Sequence, residues 1–264
     1  MRGGLLGIAA AAVLAAAAAT PMPALAQAVV VPPVLVTDIN MVVALDRSES
    51  VGFEDRTRQV ESLAAALTDP RFVAAVKAGW HGRLGLSVMT WSSFERTHVV
   101  VPWTAIGSRE DSDRIVATMR DYEAVGADAE HKPQTDISLA ISVGMRMLEE
   151  APFQATKRII NVIGDGIDNF GGDTFIDRDL ALEQDVTING LVHARGHAIP
   201  IVVRFFETQV IGGPYAFVVS APTPESFTSA MLRKMLMEIA TATLSSRADG
   251  SGSFRMPNYR RTRS

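Results

Sequence analysis

INMVVAL, residues 39–45, runs directly into DRSES, residues 46–50. The first part is a nearly continuous apolar run, and its length suits a strand buried on both faces rather than one lying against water. The second part is polar throughout and begins at Asp46, where the strand must end. RIINVI, residues 158–163, has the same form and stops at Gly164-Asp165-Gly166. Two buried strands that each deliver an aspartate into a turn point to a mostly parallel sheet, with polar loops at its carboxyl ends.

The pattern changes period on either side of these strands. Val60, Leu63, Ala64 and Leu67 recur at spacings of three and four, which predicts a helix over 53–67, closed by Asp69-Pro70. LGLSVMTW (84–91) and THVVVPW (97–103) are two strands joined by a link too short for a crossover helix, so they should pair antiparallel. Residues 108–122 form a helix with Ser108 at its N-cap and Glu110 and Asp111 in its first turn. Ile137, Ile141, Met145 and Leu148 mark a helix beginning after Thr135, with Ala140 and Gly144 on the same stripe. A short helix over 177–184, a strand over 186–192 and a short strand over 216–219 follow. A long amphipathic helix over 224–244 then turns Phe227, Met231, Met235, Leu236 and Ile239 inward. Strand and helix alternate, which predicts an α/β three-layer sandwich: a mostly parallel central sheet, helices on both faces and one antiparallel strand.

Composition narrows the function. The 264 residues are 47% hydrophobic and 20% charged, which is globular, and a domain of this size buries a full core. The absence of cysteine excludes disulfides, thiolate-bound zinc and thiol nucleophiles. A net charge of −4 argues against a nucleic-acid binder, which presents a basic face to phosphates. The chain opens with MRGGLLGIAAAAVLAAAAATPMPALAQA: one early cation, an apolar run, then Pro21 and Pro23, with Ala24 and Ala26 at the −3 and −1 positions of a cleavage site. That layout is a signal peptide over residues 1–26, and its removal leaves an exported chain, periplasmic or secreted, with no membrane span. No cysteine follows the apolar run, so lipid attachment there is excluded. The last stretch, residues 245–264, is polar, Gly/Ser-rich and basic, and reads as a disordered tail.

In open α/β sheets, ligands bind beyond the carboxyl ends of the strands, and three polar clusters fall there. Asp46, Ser48 and Ser50 follow the first strand, Thr135 precedes a helix, and Asp165 follows RIINVI. They offer carboxylates and hydroxyls but no nitrogen or sulfur, the donor set of a hard cation such as Mg²⁺, Mn²⁺ or Ca²⁺. Alternate residues of a loop leaving a strand point the same way, so Asp46, Ser48 and Ser50 can converge on one point.

In that order, Asp46-Arg47-Ser48-Glu49-Ser50, Thr135 and Asp165-Gly166 resemble the metal-ion-dependent adhesion site of von Willebrand factor A domains. The resemblance spans residues 37–244. GDGIDNFGG, TINGLV, VIGGPYAFVV and KMLMEIA are similar, closer still, to a bacterial family of exported von Willebrand A-like proteins of unknown function. It implies that Ser48, Ser50 and Thr135 hold the metal through hydroxyls, that Asp46 and Asp165 act through water or behind the ligands, and that an Asp or Glu of a partner protein completes the shell. One departure concerns the motif's usual glycine, which is Glu49 here. Turned inward, Glu49 adds a carboxylate and occupies the partner's position; turned outward, it does nothing.

The leading expectation is therefore a non-enzymatic interaction module. Two alternatives stand beside it. One is a metal-assisted hydrolase with Asp46 as nucleophile or base, against which the clusters supply no histidine, no lysine and only Arg47 as a charge clamp. The other is a structural domain with a degenerate metal site. His193 and His197 have zinc-like spacing, but Gly196 disfavours a helix there, so they read as solvated loop histidines. Asp168, Asp173, Asp177 and Asp179 read as a solvated acidic face. Gly164-Asp165-Gly166 lacks the third glycine of a dinucleotide loop, and neither a phosphate-binding P-loop nor a nucleophile elbow occurs.

Overall fold

The computed structural model describes residues 34–94, 96–126 and 134–248. The expected signal peptide, and the expected tail beyond residue 248, lie outside the described residues.

Strand β1 (Val36–Asp46) pairs in parallel with β2 (Leu84–Trp91) on one side and with β4 (Gln154–Gly164) on the other. Outside β2 runs β3 (Thr97–Ile106), antiparallel as its short connection requires. Outside β4 lie β5 (Val186–Val192) and β6 (Val218–Ser220), both parallel. The sheet order is β3-β2-β1-β4-β5-β6, so the chain leaves β1 first in one direction and later in the other. β1 and β4 therefore flank the switch point, where an α/β sheet opens a crevice beyond its strand ends.

Successive strand residues face opposite layers, and the two cores divide accordingly. Met41, Val43 and Leu45 join a core under α1 (Phe53–Thr68), α2 (Pro70–Lys77), α3 (Arg109–Ala124) and α7 (Pro224–Ala248). Val42 and Ala44 join the other, under α4 (Ile137–Glu149), α5 (Thr174–Glu183) and α6 (Ala198–Phe205). The central strands are thus buried on both faces, while β3 at the edge is partly exposed, and the molecule is the three-layer α/β sandwich that the strand–helix alternation implies.

Several elements differ from expectation. Asp69-Pro70 does end α1, but it also starts α2: the Asp69 carboxylate accepts the Arg71 N–H at 2.8 Å and Pro70 occupies the first helical turn, where its missing N–H costs nothing. α6 and the π-turn after it (Phe206–Val210) fill a stretch in which no element is expected, with Pro200 in the first turn of α6. α5 starts earlier than expected, β6 is shifted to Val218–Ser220, and α7 runs about one turn further, to Ala248. No helix among the described residues is long and apolar enough to cross a membrane.

Candidate metal site

The alternation that divides the cores also sets the site. Asp46 continues the parity of Val42 and Ala44, so its carboxylate turns toward the second core. It lies where a Cβ on Gly164 would stand 3.2 Å from Asp46 Oδ2 and 3.7 Å from both Phe206 and Trp91. A side chain at position 164 would crowd the carboxylate, so glycine is the residue that leaves it room. Asp46 Oδ1 accepts the Ser48 N–H at 2.7 Å, an Asx turn that bends the loop over the strand end. Asp46 Oδ2 is buried and has no hydrogen-bond partner.

Arg47 has the opposite parity and points to the first core, where it pairs with Glu123 and donates to Gln59 Oε1 at 3.5 Å. Its N–H donates to the Trp91 carbonyl at 2.8 Å. Arg56 of α1 reaches back to the loop, donating to the carbonyls of Val51 at 2.9 Å and Arg47 at 3.2 Å. The loop is therefore held from the strand side and from the helix side.

Ser48 and Ser50 then fall together, as alternate residues should, with their hydroxyls 3.2 Å apart. Ser50 donates to Asp165 Oδ1 at 2.7 Å, joining the loop after β1 to the loop after β4. Thr135 is buried, and its hydroxyl lies 3.6 Å from where a Gly166 Cβ would be. Asn169 clamps Thr135 in place: its Oδ1 accepts the Thr135 N–H at 2.8 Å and its own N–H donates to the Thr135 carbonyl at 3.0 Å. Asp46, Ser48, Ser50 and Asp165 are thus linked by hydrogen bonds, and the Thr135 hydroxyl lies beside Gly166, the residue after Asp165. Asp46, Ser48 and Thr135 are buried, whereas Ser50 is exposed, so the cluster opens to solvent on one side.

Burial pushes the Asp46 carboxyl up to about 7, and the neighbouring charge of Asp165 adds to the rise. Hydrogen bonds from Ser48 and the Asp165 backbone pull it back only in part. An orphaned, buried carboxylate oxygen, a second carboxylate and the two serine hydroxyls linked to it form an all-oxygen donor set of the kind that fits a hard divalent ion.

Glu49 is exposed. Two further readings change. Asp168 is not part of a solvated face: it accepts the N–H groups of Ile137 at 2.8 Å and Ser138 at 3.3 Å, capping α4 from another loop. Asp136 caps the same helix end through the Leu139 N–H at 2.9 Å, and burial raises its carboxyl above the usual range, with Asp168 and Asp177 adding to the rise. Asp177 in turn accepts from the Ser138 hydroxyl. His193 is not a solvated loop histidine either. It is half-buried at the end of β5, 3.0 Å from Gln59 Nε2, edge-on to Phe227 at 5.2 Å, and burial lowers its pKa. Gln59 lies far away in sequence, and no local pattern announces such a contact. His197 is exposed, as expected.

Solved structures of similar fold include the pilus adhesin SpaC of Lactobacillus rhamnosus GG, 11% identical with a TM-score of 0.52 over 77% of this chain and 31% of that one. Proximal thread matrix protein 1 of the mussel byssus, in a structure with a zinc-occupied MIDAS motif, is 16% identical with a TM-score of 0.55 over 78% and 49%. The vWF domain of the type V pili tip protein Mfa5 of Porphyromonas gingivalis is 9% identical with a TM-score of 0.50 over 85% and 100%. This chain spans about a third of the adhesin and about half of the mussel protein. At such identities the likeness concerns the fold, which is that of a von Willebrand factor A-like domain. None of the curated proteins matches the chain. The family model described as "Protein of unknown function (DUF1194)" matches residues 36–243, and the chain belongs to that family.

Proposed function

We propose that this domain is an exported, non-enzymatic interaction module that holds a divalent cation with Asp46, Ser48, Ser50, Thr135 and Asp165 and recognises an Asp or Glu of a partner protein. The observation that carries the reading is Asp46 Oδ2, buried without a partner beside Asp165. Leaving such an oxygen unpaired is costly, and a cation removes the cost. The all-oxygen set favours Mg²⁺, with Mn²⁺ or Ca²⁺ as substitutes. A bound cation supplies the missing positive charge and a coordination position for an incoming carboxylate. The zinc-occupied motif of the mussel protein supports a divalent ion in this kind of site, and the pilus and adhesin relatives support a role in contacts between proteins outside the cytoplasm.

The surroundings support interaction over hydrolysis. Arg47 is buried and committed to Glu123, so it does not extend toward the cluster as a charge clamp. The ring nitrogen His193 Nε2 is engaged with Gln59. Export is proposed on the leader sequence, with cleavage after Ala26; intact-mass measurement of the envelope-fraction protein should then show Gln27 at its N-terminus, and a chain beginning at Met1 would refute it. The metal reading is tested by Ser48→Ala/Ser50→Ala, which should abolish Mn²⁺ binding in calorimetry while the circular dichroism of the fold persists.

A further inference from the structure

A second buried polar atom in the row of Asp46 lacks a partner. Trp91 stands opposite Asp46 in the parallel pairing of β1 and β2, and Gly164 follows the last pair of β1 with β4, Leu45 with Ile163. Trp91, Asp46 and Gly164 are therefore neighbours across three strands. Alternation turns both side chains toward the second core, where Trp91 is fully buried. Its Nε1–H has no hydrogen-bond partner, and neither has Asp46 Oδ2. The two groups also border one point. A Cβ on Gly164 would stand 3.2 Å from Asp46 Oδ2 and 3.7 Å from Trp91 Cζ2, which adjoins the ring carbon carrying Nε1; Phe206 Cζ, also at 3.7 Å, is the apolar wall. The other two tryptophans show what an indole N–H ordinarily finds: Trp103 donates to the Met147 carbonyl at 3.0 Å, and Trp80 is exposed to solvent. The Trp91 carbonyl, moreover, accepts the Arg47 N–H at 2.8 Å, which ties residue 91 to the loop that Asp46 begins.

We infer that one internal water joins the Trp91 indole N–H to Asp46 Oδ2, and that Trp91 is by this route a positioning residue for the cation site. An indole nitrogen only donates and an ionised carboxylate only accepts, so a water that accepts from the one and donates to the other satisfies both. Buried waters take such places, where two or more polar groups converge. With Oδ1 fixed by the Ser48 N–H, the carboxylate is then held at both oxygens and its plane is set before a cation arrives. A water carries no charge, so the counter-charge still has to come from the cation. The water rests on the geometry alone; the positioning role rests on the metal reading as well. Groups that hold a metal ligand without touching the metal are worth about 10–100-fold in metal affinity.

Nuclear magnetic resonance of the protein isotope-labelled at its indole nitrogens, with Mn²⁺ calorimetry on Trp91→Phe and Trp103→Phe, tests both parts. In chelator, the Trp91 indole proton should show cross-relaxation to a long-lived water. Mg²⁺ should shift that signal in step with saturation and leave the Trp80 signal in place. Trp91→Phe should bind Mn²⁺ at least about tenfold more weakly. Trp103→Phe, which gives up an indole packed against the same core, should bind it as the wild type does. A Trp91 proton with no water contact overturns the inference. Wild-type Mn²⁺ affinity in Trp91→Phe, or an equal loss in Trp103→Phe, overturns the positioning role. Should Trp91→Phe fail to fold, the wild-type spectrum decides: a Trp91 signal that stays put as Mg²⁺ saturates the protein overturns that role, and one that moves supports it. Absence of Mn²⁺ binding to the wild-type protein overturns the metal reading and the positioning role with it, while the water stands or falls on its own cross-relaxation.

Discussion

Asp46 and Glu238 are both fully buried carboxylates packed against the same sheet, and they are satisfied in opposite ways. Glu238, on α7, meets Lys234 one helical turn earlier at 2.5 Å and accepts from Asn189 Nδ2 at 2.7 Å. Lys234 also donates to Asn161 and sits 5.1 Å from the Phe217 ring centre. Asn189 Oδ1 accepts the Phe217 N–H at 2.9 Å. Charge is balanced and the carboxylate oxygens are engaged, so this cluster fastens α7 to β4 and β5 and asks for nothing from outside. Asp46 Oδ1 accepts the Ser48 N–H, Oδ2 has no partner, and the charge of Asp165 adds to the rise of the carboxyl's pKa. A network that closes on itself needs nothing further; one that lacks a counter-charge leaves the cost of its burial unmet.

Breaking the closed cluster should have the largest effect. Lys234→Met leaves Glu238 charged and unpaired in the core, and should cost about 3–5 kcal/mol in urea unfolding. Lys234→Met/Glu238→Leu should recover most of that loss, since it removes both charges. A double variant as unstable as the single one would show that packing, not charge, holds α7.

The open cluster should respond with the opposite sign. In chelator, Asp46 binds its proton more tightly when folded than when unfolded, so its contribution is fully present below about 4 and is lost as pH rises toward 7. Asp46→Asn should therefore stabilise the metal-free protein at pH 7, by about 2–4 kcal/mol, and flatten that part of the pH profile. Destabilisation by Asp46→Asn under these conditions would mean that the carboxylate is already compensated.

His193 works in the reverse direction. Its folded pKa is lowered by burial, so its contribution is present at neutral pH and is lost as pH falls below the ordinary 6.5. His193→Gln should cost about 1 kcal/mol at pH 7 and remove the wild type's loss on acidification through that range. An unchanged acid limb would show that Gln59 does not depend on the neutral ring.

Glu49→Gly should change least. Glu49 is exposed, and its replacement should change Mn²⁺ affinity by less than about twofold. A marked drop in metal affinity would instead place the Glu49 carboxylate on the cation.

The central strands were legible because they are buried on both faces. β2 and β5 fall where the continuous apolar runs place them, at Leu84–Trp91 and Val186–Val192, and Ser108 caps α3 through the Asp111 N–H. What failed locally was punctuation: Asp69-Pro70 signals an end and a beginning with the same two residues, and only the tertiary contacts of α2 tell which. The site clusters were visible as polar residues at strand ends, and the sheet order then brings Asp46 beside Asp165. Asp168 and His193 were misread because the N–H groups and the amide that hold them are distant in sequence. The orphaned oxygen of Asp46 had no sequence signal, since its burial depends on segments distant in sequence, Gly164 beside it and Trp91 and Phe206 beside Gly164.

The contrast between the two clusters comes down to whether Asp46 is completed by a cation. Unfolding of the purified protein should be followed over increasing Mg²⁺ or Mn²⁺, beside Ser48→Ala/Ser50→Ala. The wild type should gain stability with the logarithm of cation concentration, about 2.7 kcal/mol at one hundred times the dissociation constant, and the double variant should gain none. Wild-type stability that stays flat through millimolar cation would contradict the account and leave Asp46 as a buried acid with no ligand.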